Sequence, residues 1–131
     1  AIQAADEVAD IVLVTIHWGE QGTTQPRAFE IGLAEAFIEA GADGVFGHHQ
    51  HVLQPLGWSK GKPVAWGLGN FVWQAYPPQS KATAIAQFVF EPDGSIGACL
   101  VPVVIEDTGH PVLQPGYEGP CVPDPANRAA E

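Results

Sequence analysis

Three imidazoles fall within four residues at His48, His49 and His51, directly after the short apolar run Gly44 to Phe46, and a fourth, His17, closes an earlier apolar run. Imidazole is a common ligand of divalent metals, and an extended backbone would point His49 and His51 to one side, suiting one ion or two neighbouring ions. An ion held by neutral imidazoles lowers the pKa of a bound water and supplies hydroxide near neutral pH for attack on a phosphoryl or acyl centre. A lone His-x-His is weak evidence, since exposed loops collect histidines too. His17, expected from a neighbouring strand, turns the pair into a candidate site with His17, His49 and His51 as ligands.

Other residues near these histidines have both a chemical and a plain reading. His48 points oppositely to His49 if the segment is extended, which makes it a candidate general acid, an outer hydrogen-bond donor or a packed histidine. Glu20, three residues past His17, is a candidate for positioning water, against a solvated loop carboxylate. Asn70, in Gly-Asn-Phe at a strand end, and Trp18 are the candidate substrate contacts; for Asn70 the alternative is a turn-forming asparagine. Asp43 precedes its strand and belongs to the opposite edge, where capping or solvation accounts for it. A cupin would need a glutamate soon after His51, but Val52-Leu53-Gln54-Pro55 has none, and the chain does not open as an all-β barrel. No Gly-x-Ser-x-Gly elbow or phosphate loop with lysine occurs, and neither cysteine neighbours a histidine.

The elements that must position these side chains follow from the apolar pattern. Ile11 to Ile16 is a continuous β-branched run, as in a parallel strand covered on both faces, and its carboxyl end is where α/β proteins hold ligands. A helix is predicted from Pro26 to Ala40, with Thr24 as N-cap, Phe29, Leu33, Ala34, Phe37, Ile38 and Ala40 as its buried stripe, and Gly41 at the left-handed C-terminal position. With the strand Gly44 to Phe46 this makes a βαβ unit, whose crossover sets both strands parallel and brings His17 towards His48, His49 and His51. Val52 to Trp58 and Pro63 to Leu68 flank a polar turn and read as a hairpin, as do Thr83 to Glu91 and Ile96 to Ile105 around Pro92-Asp93-Gly94-Ser95. The fold class is α/β, a βαβ unit followed by antiparallel hairpins. One domain is expected over residues 1–105 and a Pro/Gly-rich tail over 106–131. Ala1 to Asp10 reads as the tail of an amphipathic helix already under way. One complete helix cannot cover both faces of the sheet, so part of an apolar face is expected to be covered from outside the sequence.

At 131 residues, 46% hydrophobic and 15% charged, the chain has the makings of one globular domain. Its net charge of −10 argues against nucleic-acid or anionic-membrane partners, and a polyanionic substrate would need a metal to offset that charge. Cys99 and Cys121 have neither zinc-ribbon spacing nor the pattern of a disulfide framework, and no apolar run approaches the roughly 20 residues of a membrane span.

His17-Trp18-Gly19, Glu39-Ala40-Gly41-Ala42-Asp43, the stretch Gly47 to Gln54 with its three histidines, and Gly67-Leu68-Gly69-Asn70-Phe71 occur in an order that resembles the C-terminal half of the CapA family of bacterial capsule and poly-γ-glutamate synthesis proteins. The likeness spans Asp10 to Val104. It implies half of a calcineurin-like metallophosphoesterase fold, an αββα sandwich with a dinuclear metal centre at the strand ends. His17 matches the isolated histidine ligand, and His49 with His51 the final His-x-His pair, for one or two divalent ions among which Mn, Zn and Fe are not distinguished. The family's aspartate ligands, bridging carboxylate and asparagine-histidine motif belong to an upstream half. Gln50 stands where proline is usual, Gln21 where glutamate is common, and Gly67 where serine is frequent. The resemblance implies either a hydrolase of an anionic polymer or phosphoester, or a non-catalytic envelope component that binds or exports such a polymer. Expected partners are the missing N-terminal half or a second copy, together with membrane components of capsule synthesis. The expected location is the extracytoplasmic side of the bacterial cell envelope.

Overall fold

The computed structural model describes residues 1–74 and 78–114. The chain opens with a five-residue helix, α1 (Ile2–Asp6), shorter than the expected helical tail to Asp10. Strand β1 (Leu13–His17) leads through a loop to helix α2 (Ala28–Glu39), and strand β2 (Gly44–His48) then lies parallel to β1. In that register His17 stands opposite His48.

The helix starts two residues later than expected. Its N-cap is Arg27 and not Thr24, because the Glu30 carboxylate reaches back to accept the Arg27 N–H at 2.9 Å and so satisfies the first turn. At its other end Gly41, at φ +105°, donates to the Ile38 carbonyl, and Ala42 donates to that of Phe37. This is the Schellman pattern, and it turns the chain into β2.

Beneath α2 the packed stripe is Glu30, Ala34, Phe37 and Ile38, against Trp18, Val45, Val64 and Trp66. Phe29 and Leu33, expected on that stripe, sit about 100° round the helix from it and stay outside, with Phe29 51% exposed. Gly32 is also on the outer surface, and a Cβ there would meet nothing within 4 Å. Gly32→Ala is therefore expected to stabilise the fold by about 1 kcal/mol, read as a raised urea midpoint.

Strands β3 (Leu56–Ser59) and β4 (Lys62–Ala65) form the first hairpin, shorter than expected but extended by an isolated bridge between Leu53 and Leu68. Lys60 and Gly61, at φ +47° and +76°, make its two-residue turn. Strand β4 also pairs parallel with β2, so the sheet is mixed, in the order β1-β2-β4-β3. At its amino edge Asp43 accepts the Val12 N–H at 2.9 Å and Lys62 Nζ at 2.8 Å, tying β1, β2 and β4 together. Asp43 thus sits opposite the histidines in a structural place, as expected.

Strands β5 (Ala82–Phe90) and β6 (Ile96–Ile105) form the second hairpin. The segment from Glu106, expected to begin a tail, instead turns at Gly109 and returns as β7 (Pro111–Leu113) along β6. A proline at the start of an edge strand loses no ladder hydrogen bond, so Pro111 does not prevent the pairing. The rest of the expected tail and Cys121 lie outside the described residues. Phe46, on the face of β2 away from α2, stacks on Phe88 with ring centroids 4.3 Å apart, which joins the two sheets. The result is an α/β fold of helix, mixed sheet and antiparallel sheet.

Among the described residues β1 has one neighbour only, β2. It was expected to be covered on both faces, yet Leu13, Thr15 and His17 are exposed.

Candidate functional site

Four imidazoles gather at the carboxyl ends of β1 and β2. His17 ends β1 and His48 ends β2 on the same face, and their Nδ1 atoms lie 3.0 Å apart, so one nitrogen donates and the other accepts. His48 Nε2 is also 3.4 Å from Thr15 Oγ1. Burial foremost, then the neighbouring His17 and His49, holds His48 below the ordinary imidazole pKa, so its ring is neutral at physiological pH.

The next residues do not continue as an extended strand. His49 has φ +119° and His51 φ +58°, conformations uncommon for residues with a side chain. The alternation expected of an extended His-x-His therefore does not apply, and His49 does not point away from His48's neighbour. Its ring centroid is 4.3 Å from that of His17 and 6.2 Å from that of His51.

His51 is oriented by Asn70. Its Nδ1 donates to Asn70 Oδ1 at 2.6 Å, and Asn70 Nδ2 donates back to the His51 carbonyl at 3.3 Å. Such a bond fixes the tautomer and leaves the Nε2 lone pair free, as in metal-binding histidines. Asn70 is nearly buried, so its amide serves His51 first. Beside them a cavity of about 380 Å³ is lined by His51, Asn70, Trp73, Gln21, Gln50 and Gln79.

Two sequence candidates are corrected. Trp18 is a core residue and not a substrate contact: it is 5% exposed, stacks on Trp66 and gives its Nε1–H to the Trp66 carbonyl at 2.9 Å. Glu20 places its carboxylate in an exposed ion pair with Arg27 Nη2 at 2.6 Å, the solvated alternative to a catalytic role.

Sequence reasoning missed the support beneath the loop. Gln50, fully buried, donates its Nε2–H to Glu30 Oε1 at 3.0 Å and to the Trp18 carbonyl at 3.3 Å. Glu30 was legible as an oddity, since it is a carboxylate on the same helical stripe as Ala34, Phe37 and Ile38.

A divalent metal fits this donor set in part. The clustered imidazoles and the Asn70-oriented His51 suit one, but among the described residues no carboxylate is bonded to these rings. Among the described residues no three His, Cys, Asp or Glu side chains already close around an ion.

Comparison with known proteins places these features in a family. A family model described as bacterial capsule synthesis protein PGA_cap matches residues 1–75. The capsule biosynthesis protein CapA of Bacillus anthracis is 36% identical over 99 residues, which is 76% of this chain and 24% of that protein. The PGA biosynthesis protein CapA of Bacillus subtilis is 36% identical over 106 residues, covering 81% of this chain and 28% of the relative. A probable polyglutamine synthesis accessory protein of Mycobacterium tuberculosis is 35% identical over 63 residues, 48% of this chain and 17% of its own length. The chain thus spans about a quarter of the two Bacillus relatives. The histidine-bearing βαβ unit lies within the matched residues, and the chain belongs to the PGA_cap family of bacterial capsule synthesis proteins.

Proposed function

We propose that this chain supplies the histidine half of a metal-dependent hydrolytic site in a protein of capsule or poly-γ-glutamate synthesis. The observation that carries this reading is the gathering of His17, His48, His49 and His51 from two parallel strand ends, with His51 oriented by Asn70. His17, His49 and His51 would hold the ion. When bound, it would supply charge stabilisation at a phosphoryl or acyl oxygen and activate water near neutral pH. Asn70 keeps His51 in the ligand tautomer. His48, neutral and bonded to His17, can hold or pass a proton at Nδ1.

The remaining ligands are proposed to come from the rest of the polypeptide, or from a second copy, docked along the open edge of β1. The substrate class is an anionic polymer or a phosphoester, handled at the cell envelope on its extracytoplasmic side together with membrane components of capsule synthesis. No helix among the described residues is long and apolar enough to cross a membrane.

The test is metal content of the full-length protein. At least one equivalent of Mn, Zn or Fe is expected to co-purify, and replacing His49 and His51 together by alanine is expected to lower it by at least about tenfold with the fold intact. Unchanged content would remove the histidines from the site.

A second reading is a non-catalytic envelope component that binds or exports an anionic polymer. Metal and polymer binding by the full-length protein with no hydrolysis of any ester or amide tested would select it.

A further inference from the structure

The backbone of His49 and His51 poses a question that the ligand set alone does not answer. Both residues sit in the left-handed region, at φ +119° and +58°. Side-chain-bearing residues stay there only when their surroundings over-determine the conformation. Between them lies Gln50, whose side chain points not to solvent but into the fold.

Three bonds converge on Gln50. Its Nε2 donates to Glu30 Oε1 at 3.0 Å and to the Trp18 carbonyl at 3.3 Å, while its backbone carbonyl accepts the Gly22 N–H at 2.8 Å. Glu30 is itself held, because Oε2 accepts the Arg27 N–H at 2.9 Å at the start of α2. The socket is formed by two glycines. A Cβ on Gly19 would come within 2.4 Å of Gln50 Nε2 and 2.6 Å of Glu30 Oε1, and a Cβ on Gly67 within 2.6 Å of Gln50 Oε1. Any side chain at either position would push the amide out.

From this we infer that Gln50, seated on Glu30, is a positioning residue that holds His49 and His51 in their left-handed backbone. It thereby keeps the His49 ring beside His17 and the His51 ring on Asn70. The inference rests on the ligand assignment made above for its metal consequence, but the latch itself is a property of the loop. Removing the amide takes away the side-chain anchor of residue 50 and leaves only the Gly22 bond to its backbone carbonyl, so the two histidines on either side of it relax towards ordinary φ values. The rings then no longer share one locality.

The experiment compares Gln50→Ala and Gln50→Met with the parent in the full-length protein. Methionine fills the same socket without the amide, so the comparison survives if the alanine variant fails to fold. Ile105→Val, fully buried at the carboxyl end of β6 and outside the Gln50–Glu30 contact, serves as a control destabilised by packing alone. Two readouts are taken: Co²⁺ affinity from its visible absorption, and hydrogen exchange of amides 47–54 and of Gly22.

Gln50→Met is expected to bind Co²⁺ about 10- to 100-fold more weakly and to lose protection at the loop, while Ile105→Val retains parental affinity and loop protection. If both Gln50 variants keep parental Co²⁺ affinity and exchange, the latch is overturned and the ligand assignment stands. If Ile105→Val weakens Co²⁺ as much as Gln50→Met, the effect is one of general stability and the latch is again overturned. A parent that binds no Co²⁺ while the Gln50 variants still lose loop protection upholds the latch and removes the ligand assignment.

Discussion

Gly47→Ala is expected to destabilise the fold by about 4 kcal/mol, since a Cβ there meets the tightest surroundings of any described glycine. Gly47 lies in β2 one residue before His48, where a Cβ would stand 2.1 Å from the Trp66 carbonyl oxygen and 2.3 Å from Trp18 Nε1. These two atoms are the partners of a buried hydrogen bond, so the methyl would have to part them. It cannot be accommodated by a flexible side chain, since one obstacle is backbone of the segment following β4 and the other is an indole stacked on Trp66 and Phe37. The Gly47 carbonyl also accepts the Leu68 N–H at 3.1 Å, so a shift of the strand spreads to that segment as well. Urea denaturation of the variant checks this, with Gly32→Ala as the opposite case in the same protein. A midpoint close to the parent's would mean that the two tryptophans do not pack as described.

For the hydrolytic site, His49→Ala in the full-length protein is expected to lower turnover by a factor on the order of 10³ while leaving the unfolding midpoint nearly unchanged. His49 is the ring nearest His17 across the strand ends and the link between His17 and His51. Its loss breaks the chain of imidazoles in the middle. Its side chain is only half-buried, so little packing goes with it. Steady-state kinetics on phosphoester and polymer substrates, alongside thermal unfolding, give the answer. Undiminished hydrolysis of every substrate that the parent cleaves would end the catalytic assignment.

The sequence made the frame legible because its signals are local. Continuous β-branched residues, the Lys60-Gly61 and Asp93-Gly94 turns and the Gly41 stop each act within a few residues, and they place β1, β2, α2 and the hairpins with only end shifts. The parallel crossover then juxtaposes His17 and His48, as expected. Thr24 lost the capping role because Glu30 competed for it from three residues inside the helix, a choice composition alone does not decide. Trp18 looked like a site residue from its place beside His17, but its indole turns to the opposite face of β1, where Trp66 and α2 receive it.

The turn of the loop at His49 and His51 could not be read locally. Histidine has no strong tendency to positive φ, and what holds it there is a contact between Gln50 and Glu30, twenty positions apart. Only the helical phase of Glu30 hinted that a carboxylate would be swallowed by the core. The role of Asn70 was half visible: its place facing the histidines was read, but its bond to His51 was not.

The outermost strand, β1, has consequences for handling as well as for chemistry. Its far side carries backbone donors and acceptors that no strand among the described residues meets, and Leu13 lies bare on one face. Such a rim is a template on which any extended segment can zip up. A segment laid there in parallel would finish level with His17, so on the function proposed above the border that would favour self-association is also the one through which a neighbour's side chains would reach the imidazoles.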